Sequence, residues 1–449
     1  MILRRVLVAN RGEIAVRILR TCRALGIETV LAVSDDDAGS LPARLADSAV
    51  RIGTAVGYLD VAAVTEAARA AKADAIHPGY GFLSESPRLA RACEQAGLVF
   101  IGPTAAQLEA AGDKLAARER AAAAGLPLAP GGPVTTVAQA AGLAGRIGFP
   151  VLVKAVGGGG GRGLRVVGRP DDLGPAVERA MAEARAAFAD DRVYLERYVP
   201  GGRHVEVQLL GDGERVIHIG DRDCSVQRRY QKLLEEAPAP LLADGLRDQI
   251  RRAAVAFGKS LGYRGLGTVE FLADVARRTF FFLEMNARIQ VEHPVTEAVS
   301  GLDLVAEQIA VAEGRPLRLA QADVRLAGHA IECRINAEDA PAGFRPSPGT
   351  VTRAVFPAGP GIRVDTHLQA GTAVPPGYDS LLAKVIASGR DRAEALARLR
   401  AALARCEIDG VATTIGLHAG LTADAEFARG GVDTGFLPRF LGNGRGPRD

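Results

Sequence analysis

Short apolar runs alternate with longer segments in which apolar positions return every three or four residues, and this rhythm organises the first hundred residues. Val6-Leu7-Val8-Ala9 reads as a strand, 12–25 as an amphipathic helix and 29–33 as a second strand. The pattern returns with a helix over 61–71, a short strand at Ala75-Ile76, a helix over 87–96 and a strand over 99–101. Strand and helix alternating at this spacing predict a parallel, doubly wound layer. The loop from His77 to Glu85 follows a strand's carboxyl end, where ligands bind in such sheets. A structural turn explains its prolines and glycines equally well, so His77 and Glu85 receive no role.

Asp113-Lys114 opens an alanine-rich helix that ends at Gly125, and the Pro/Gly stretch 127–133 is a natural hinge. A small lid is expected over 134–200, closing on the apolar run 192–199 and the return hinge Pro200-Gly201-Gly202. Alternating strands follow from Arg203, then a helix over 246–261, then the strand over 279–283. From about Ala327 short strands mix with a helix over 392–406. The fold class is α/β, or α+β taken as a whole.

Two segments carry chemistry. The first is Glu284-Met-Asn-Ala-Arg-Ile-Gln-Val-Glu-His293, entered from an apolar strand. Residues two apart in a strand face the same way, so Glu284, Asn286, Arg288, Gln290 and Glu292 would project from one face if the extended path continues. Carboxylates, amides and a guanidinium on one face suit a hard cation held beside an oxyanion. The second is Phe149-Pro-Val-Leu-Val-Lys154, a buried strand ending in lysine, followed by five glycines from Gly157, then Arg162 and Gly163. Such glycines let backbone N–H groups approach an anion closely. No Gly-Lys-Ser/Thr follows and no helix begins, which excludes the P-loop and the dinucleotide fingerprint. A strand–glycine loop–strand hairpin over a triphosphate remains. Gly258-Lys259-Ser260 lacks the leading glycine, since Ala253 stands there, and reads as coincidence.

The 449 residues exceed one hydrophobic core and suggest roughly two to four domains. Hydrophobic content of 48% and charged content of 24% are ordinary for a soluble enzyme, and a net charge of +3 gives no reason to expect nucleic acid. No apolar run approaches the ~20 residues of a membrane helix, and Met-Ile-Leu-Arg-Arg runs straight into a strand without a signal-peptide core. Cys22, Cys93, Cys224, Cys333 and Cys406 are scattered and include no C-x-x-C, against disulfides and a zinc site. A cytoplasmic protein is expected.

Lys154 with Gly157 to Gly163, Glu196, Arg203-His-Val-Glu206, Arg222-Asp-Cys-Ser-Val-Gln-Arg-Arg229, Lys232-Leu-Leu-Glu-Glu-Ala-Pro238, Glu270 and Glu284 to Glu297 together resemble ATP-grasp enzymes, and more narrowly the biotin carboxylase family. Asn10-Arg-Gly-Glu-Ile-Ala15, the loop 77–85 and Glu332-Cys-Arg-Ile-Asn-Ala-Glu-Asp339 match the same family, and the resemblance runs in order from Val6 to about Leu437. It implies an ATP-grasp fold with an N-terminal doubly wound parallel-sheet domain (1–112), a linker helix and hinge (113–133), a small mobile lid (134–201), the main ATP-grasp domain (202–326) and a C-terminal mixed α/β domain (327–449).

The implied reaction is ATP-dependent carboxylation of carrier-borne biotin by bicarbonate through carboxyphosphate. By resemblance, Glu270, Glu284 and Asn286 would hold two Mg²⁺, or Mn²⁺, as oxygen ligands of hard ions. Lys114, Lys154 and the backbone of Gly158, Gly159, Gly160 and Gly161 would contact phosphates. Glu196, Arg197 and Val199 would form the adenine hinge, with His204 and Gln227 at the ribose side and Tyr230 and Leu272 also beside the nucleotide. Arg288, Gln290 and the Val291 backbone would hold bicarbonate with Lys232 nearby. Glu292 would deprotonate it, and Arg334 would stabilise the biotin enolate. Cys224 reads as a buried small residue and His293 as a turn-stabilising one.

Some positions depart from the family pattern. Tyr230 stands where relatives commonly carry histidine, predicting altered ATP affinity, and Arg197 replaces a common lysine. Ala24 and Pro360 replace residues that some relatives use in a homodimer. Met1, Met181 and Met285 are the only methionines and none adjoins a lysine, so the biotin-accepting Met-Lys-Met centre is absent. The expected partners are therefore a separate biotin carboxyl carrier protein and a separate carboxyltransferase subunit, with acetyl-CoA as the favoured acceptor by analogy. The rival readings are another ATP-grasp carboxylate or carbamoyl ligase, and a non-catalytic nucleotide-binding subunit.

Overall fold

The computed structural model describes residues 2–155, 164–188 and 192–442. The N-terminal sheet is parallel throughout. β1 (Arg5–Val8), β2 (Glu28–Val33), β3 (Ser48–Arg51), β4 (Ala75–His77) and β5 (Val99–Phe100) lie in the order β3-β2-β1-β4-β5. Helix α1 (Gly12–Ala24) and the helices Val61–Ala70 and Pro87–Gln95 connect them as the pattern predicts. Alternate residues of one strand feed different cores: Leu7, Val30 and Ile76 join one cluster, and Val6, Val8, Leu31 and Ala75 another. Burial on both faces is why these strands read as unbroken apolar runs. Ser48–Arg51 is mostly exposed and polar, so it carried no such signal.

The segment expected as a lid holds a four-stranded sheet of β6 (Gly131–Val134), β7 (Val151–Ala155), β8 (Arg165–Val167) and β9 (Val193–Arg197), ordered β6-β9-β7-β8. Val134, Val151, Val153, Val177, Val193 and Leu195 belong to a core of its own. The glycine loop lies outside the described residues; the strands on either side of it, β7 and β8, pair antiparallel.

Eight of the remaining strands form one sheet, and six short ones pair off into three two-stranded sheets. The large sheet contains β10 (Arg203–Asp212), β11 (Val216–Arg228), β12 (Gln231–Ala237), β13 (Arg264–Asp274), β14 (Thr279–Asn286) and β15 (His329–Asn336), followed by the strands Leu381–Gly389 and Ile362–Thr366. Their spatial order is β14-β13-β10-β11-β12-β15, then Leu381–Gly389, then Ile362–Thr366. The sheet is thus continuous across position 327, because β12 pairs antiparallel with β15 and Glu235 faces Glu332. The helix expected over 246–261 spans Asp244–Ser260, and that over 392–406 stops at Leu403.

One feature differs from the expectation above. The extended path does not continue to Glu292: β14 ends at Asn286, and Glu292 immediately precedes the helix His293–Ser300. Pro294, unable to serve in a strand interior, sits in that helix's first turn. The turn between β11 and β12 places Arg229 (φ 47°) and Tyr230 (φ 67°) in the left-handed region. Two successive positive φ angles suit the twist of a tight hairpin, at a cost of about 1–2 kcal/mol for each non-glycine residue.

Candidate active site

Four strands contribute one charged rung. Glu284 of β14 faces Glu270 of β13, which faces Glu206 of β10, which in turn faces Arg222 of β11. Like charges directly opposite one another in a sheet repel, so this row stands only with cations built into it. Arg222 is fully buried; its Nε donates to Glu206 at 2.5 Å and its other nitrogens reach Gln208, Thr268 and Thr296. Lys232 enters from β12, with Nζ 2.5 Å from Glu206, 2.9 Å from Glu270 and 2.8 Å from Glu292. Burial alone would lower the Lys232 pKa, but Glu206, Glu270 and Glu292 overrule it and hold the ammonium form far more firmly than usual.

The cation-ligand candidates are adjacent. Asn286 donates to Glu270 at 2.7 Å, and Glu270 and Glu284 face each other across the strand pair. Burial and the charge of Glu270 push the Glu284 carboxyl above its ordinary value. The half-buried Glu284 carboxylate, disfavoured as an anion and set beside the Glu270 and Asn286 oxygens, suits a hard divalent cation. His204, Glu206 and Glu270 also bring ligand atoms within 4.8 Å of one another, as do Glu206, Cys224 and Glu292. Lys232 lies within hydrogen-bonding distance of Glu206, Glu270 and Glu292, so we attribute both clusters to an ion-pair network. His204 Nε2 lies 2.8 Å from Glu270. Burial works against a charged imidazole there, yet Glu270 raises its pKa above the ordinary value.

Of the residues expected around a nucleotide, Lys154, Glu196 and Arg197 lie on the strands β7 and β9, and His204, Gln227 and Leu272 on the large sheet. Glu196 of β9 is buried and paired with Lys154 Nζ at 2.5 Å, with Arg118 at 3.5 Å. Burial and Lys154 act to lower the Lys114 pKa; Glu284 and Glu196 act to raise it, and the net shift is downward. Lys114, Lys154, Glu196 and Glu284 thus share one electrostatic neighbourhood. Arg197 N–H donates to the carbonyl of Pro130, and Val199 is buried. Leu272 pairs with His204 across β13 and β10, while Gln227 pairs with Lys232 across β11 and β12. Tyr230 is 42% exposed at the hairpin tip, and burial followed by Tyr198 and Glu196 raises its phenol pKa. Gly158, Gly159, Gly160 and Gly161 lie outside the described residues.

Segment 287–292 forms the opposite wall. Arg288 donates through Nε to Glu85 (2.9 Å), through Nη1 to Gln290 (2.7 Å) and through Nη2 to Asn286 (2.9 Å). Glu85, left without a role by the sequence, also accepts from the Ala287 N–H at 2.9 Å, drawing the chain out of the strand. Glu292 is fully buried. Its Oε1 lies 2.8 Å from Lys232 and its Oε2 accepts from Arg334 at 2.9 Å. Burial would raise the Glu292 pKa, but Lys232, Arg334 and Arg222 outweigh it and hold the carboxyl well below the usual range. Arg334 also donates Nε to Glu235 at 2.6 Å. Burial, offset in part by Arg334, pushes Glu235 up to about 7.

The structure therefore gathers Arg288, Gln290, Val291, Glu292, Lys232 and Arg334 in one connected group beside Glu270, Glu284 and Asn286. Glu85, Glu206, Arg222 and Glu235 complete it. Glu206, Arg222 and Glu235 were visible only as members of motifs, with no role of their own. Cys224 Sγ lies 4.0 Å from Glu292; burial, then Glu206, keep its thiol far above its ordinary pKa. That suits a protonated space-filler. His293 opens its helix fully buried, Nδ1 2.8 Å from the Gln290 carbonyl, as a turn-stabilising residue would.

Family models match three consecutive segments. Residues 2–108 match the biotin carboxylase N-terminal domain, 113–320 the ATP-binding domain of the carbamoyl-phosphate synthase L chain, and 332–439 the biotin carboxylase C-terminal domain. A Nostoc biotin carboxylase is 48% identical, covering 96% of this chain and 98% of the relative. The Pseudomonas aeruginosa biotin carboxylase is 49% identical, covering 98% and 99%. A pyruvate carboxylase component of Methanothermobacter thermautotrophicus is 46% identical over 97% of this chain and 90% of its own. Among solved structures, a Campylobacter jejuni biotin carboxylase complex with a β,γ-ATP ligand superposes with a TM-score of 0.95 at 42% identity, covering 98% and 99% of the chains. The biotin carboxylase domain dimer of the Hydrogenobacter thermophilus 2-oxoglutarate carboxylase, with MgADP, ADP and bicarbonate, gives 0.96 at 43% over both whole chains. With its three segments in family order and nearly half its positions identical to those relatives, the chain belongs to the biotin carboxylase family, ATP-dependent ligases.

Proposed function

We propose that this protein carboxylates biotin on a separate carrier protein, using ATP, divalent cations and bicarbonate, as the first half-reaction of an acyl-CoA carboxylase. The observation that supports this best is the division of Glu292 between Lys232 and Arg334. A proton-accepting group and a cation suited to an enolate are joined in one hydrogen-bonded unit, next to a carboxylate pair that fits a metal.

In this reading Glu270, Glu284 and Asn286 hold Mg²⁺, which when bound neutralises phosphate charge. Lys114 and Lys154 meet phosphate oxygens, and Glu196, Arg197, Val199, His204, Gln227, Tyr230 and Leu272 line the nucleotide site together with the glycine loop. Arg288, Gln290 and the Val291 N–H orient bicarbonate. In the ligand-free arrangement Glu292 is a weak base because Lys232 and Arg334 stabilise its anion. An anion arriving beside Lys232 draws that cation away and raises the proton affinity of Glu292 toward what proton removal needs. The deprotonated bicarbonate takes the γ-phosphoryl group of ATP, releasing ADP and giving carboxyphosphate, which breaks down to CO₂ and phosphate. That phosphate takes the proton from the biotin nitrogen. Arg334 faces the biotin oxygen as negative charge develops there, and the nitrogen bonds to CO₂ as that charge returns.

The domain division at 112, 133, 201 and 326 belongs to this proposal, as does a homodimer. Ala24 and Pro360, at the expected contact, are both exposed. Among the described residues no helix is long and apolar enough to cross a membrane, in keeping with a proposed cytoplasmic location. We favour acetyl-CoA as the acyl acceptor, delivered through a separate carboxyltransferase. Affinity purification of the holoenzyme, followed by incorporation of labelled bicarbonate with competing acceptors, tests this reading. Labelled carrier biotin and fastest transfer to acetyl-CoA are expected. Faster transfer to pyruvate or 2-oxoglutarate overturns the acceptor, and unlabelled carrier overturns the half-reaction.

A further inference from the structure

The bicarbonate wall has a buried support that no catalytic assignment uses. Lys384, on the strand Leu381–Gly389, is fully buried and stands directly across from Arg334 of β15. Its Nζ donates to the Val291 carbonyl at 2.8 Å, lies 3.1 Å from Glu13 of α1 and is 3.9 Å from Asp365. Glu13 in turn accepts a hydrogen bond from the Tyr80 hydroxyl. One ammonium group therefore joins the first helix, the 287–292 segment and the C-terminal strands.

A buried lysine is expensive unless paired, and this one directs a hydrogen bond at a single backbone carbonyl of the segment that carries Val291 and Glu292. The preceding carbonyl, of Gln290, is approached by His293 Nδ1 at 2.8 Å. A planar trans peptide points its N–H opposite its C=O. A group gripping the Gln290 carbonyl thereby aims the Val291 N–H away from itself, and a group gripping the Val291 carbonyl fixes the next peptide and with it the direction in which Glu292 leaves the backbone.

We infer that Lys384 is a positioning residue for bicarbonate, fixing the Val291–Glu292 peptide from behind so that the Glu292 carboxylate meets the anion at the Val291 N–H, which His293 aims through the Gln290 carbonyl. The inference rests on the bicarbonate assignment proposed above. A lysine serving stability alone would, when removed, lower the melting temperature and depress every kinetic parameter together. A positioning lysine affects one substrate.

The test is steady-state ATP turnover with free biotin, varying bicarbonate and ATP separately, in Lys384→Met, Lys384→Met/Glu13→Gln and Arg288→Ala. The double variant removes the carboxylate charge that Lys384→Met would leave buried and uncompensated, and so yields a folded protein where the single variant fails. Loss of a charged hydrogen bond to a buried carbonyl predicts a bicarbonate KM raised about tenfold or more in the double variant, with the ATP KM within about twofold of wild type. An unchanged bicarbonate KM in the double variant, with a raised one in Arg288→Ala, overturns the role of Lys384 alone. Parallel rises in the ATP and bicarbonate KM overturn it in favour of a structural role. An unchanged bicarbonate KM in Arg288→Ala overturns the bicarbonate assignment and the inference together.

Discussion

Arg334 donates a hydrogen bond to Glu292 at 2.9 Å, on the carboxylate oxygen that Lys232 leaves free. This pair links the residue proposed for the biotin oxygen to the residue proposed for the bicarbonate proton, so in that proposal the two chemical steps share one electrostatic unit and respond to each other's charge.

Arg334→Ala separates those steps. A preorganised donor aimed at developing charge is worth about 3–4 kcal/mol, so biotin-dependent turnover should fall by about two to three orders of magnitude while bicarbonate-dependent ATP cleavage without biotin survives. Phosphate release with and without biotin reads both. Equal loss of the two rates would show that Arg334 acts through the fold or through Glu292.

Glu292→Gln tests the base. General-base contributions run to about 10²–10⁴-fold, so turnover should drop by that factor with nucleotide binding intact, since Lys232 keeps Glu206 and Glu270 as partners. Nucleotide binding by calorimetry beside the turnover assay makes the comparison, and near-normal turnover contradicts the assignment.

Lys232→Met leaves several buried carboxylates without their shared cation. Breaking such a unit costs about 3–5 kcal/mol, measurable by urea unfolding at pH 7. The pH dependence has a definite sign. Glu270 and Glu292 are held below their ordinary range in the folded protein. Their contribution is therefore present above about pH 4.5 and lost as pH falls below it. The stability gap between wild type and Lys232→Met should narrow as pH falls below about 4.5. A gap that widens would contradict the ion-pair network.

Glu284→Gln has opposite effects in two states. Because burial and Glu270 disfavour the Glu284 anion, its removal should stabilise the metal-free protein at pH 7. The same change should weaken the dependence of turnover on Mg²⁺, requiring more cation for half-maximal rate, and chelation should abolish turnover in both proteins. Melting curves without metal and Mg²⁺ titrations with ATP check the two halves.

Much of this was legible from local pattern. The N-terminal strands and helices could be read because burial on both faces leaves unbroken apolar runs, and the polar alternation after residue 283 marked the site before any geometry was known. The alternation misled in one respect: at Ala287 the backbone turns to Glu85, more than two hundred positions away in sequence, and the extended path ends. Lys384 lay in no quoted motif, and Glu85 and Glu235, though inside such motifs, carried no role, because all three act through strand register and inter-segment contact. Glu206 and Arg222 could be quoted from motifs, but only the rung Glu284–Glu270–Glu206–Arg222 explains why one requires the other.

Phosphate release from ATP by the purified chain, with and without bicarbonate and each with and without free biotin, tests the central claim most directly. Release that requires bicarbonate and is accelerated by biotin is the predicted result. Release indifferent to biotin would contradict biotin carboxylation by this site and point to a different ATP-dependent ligation.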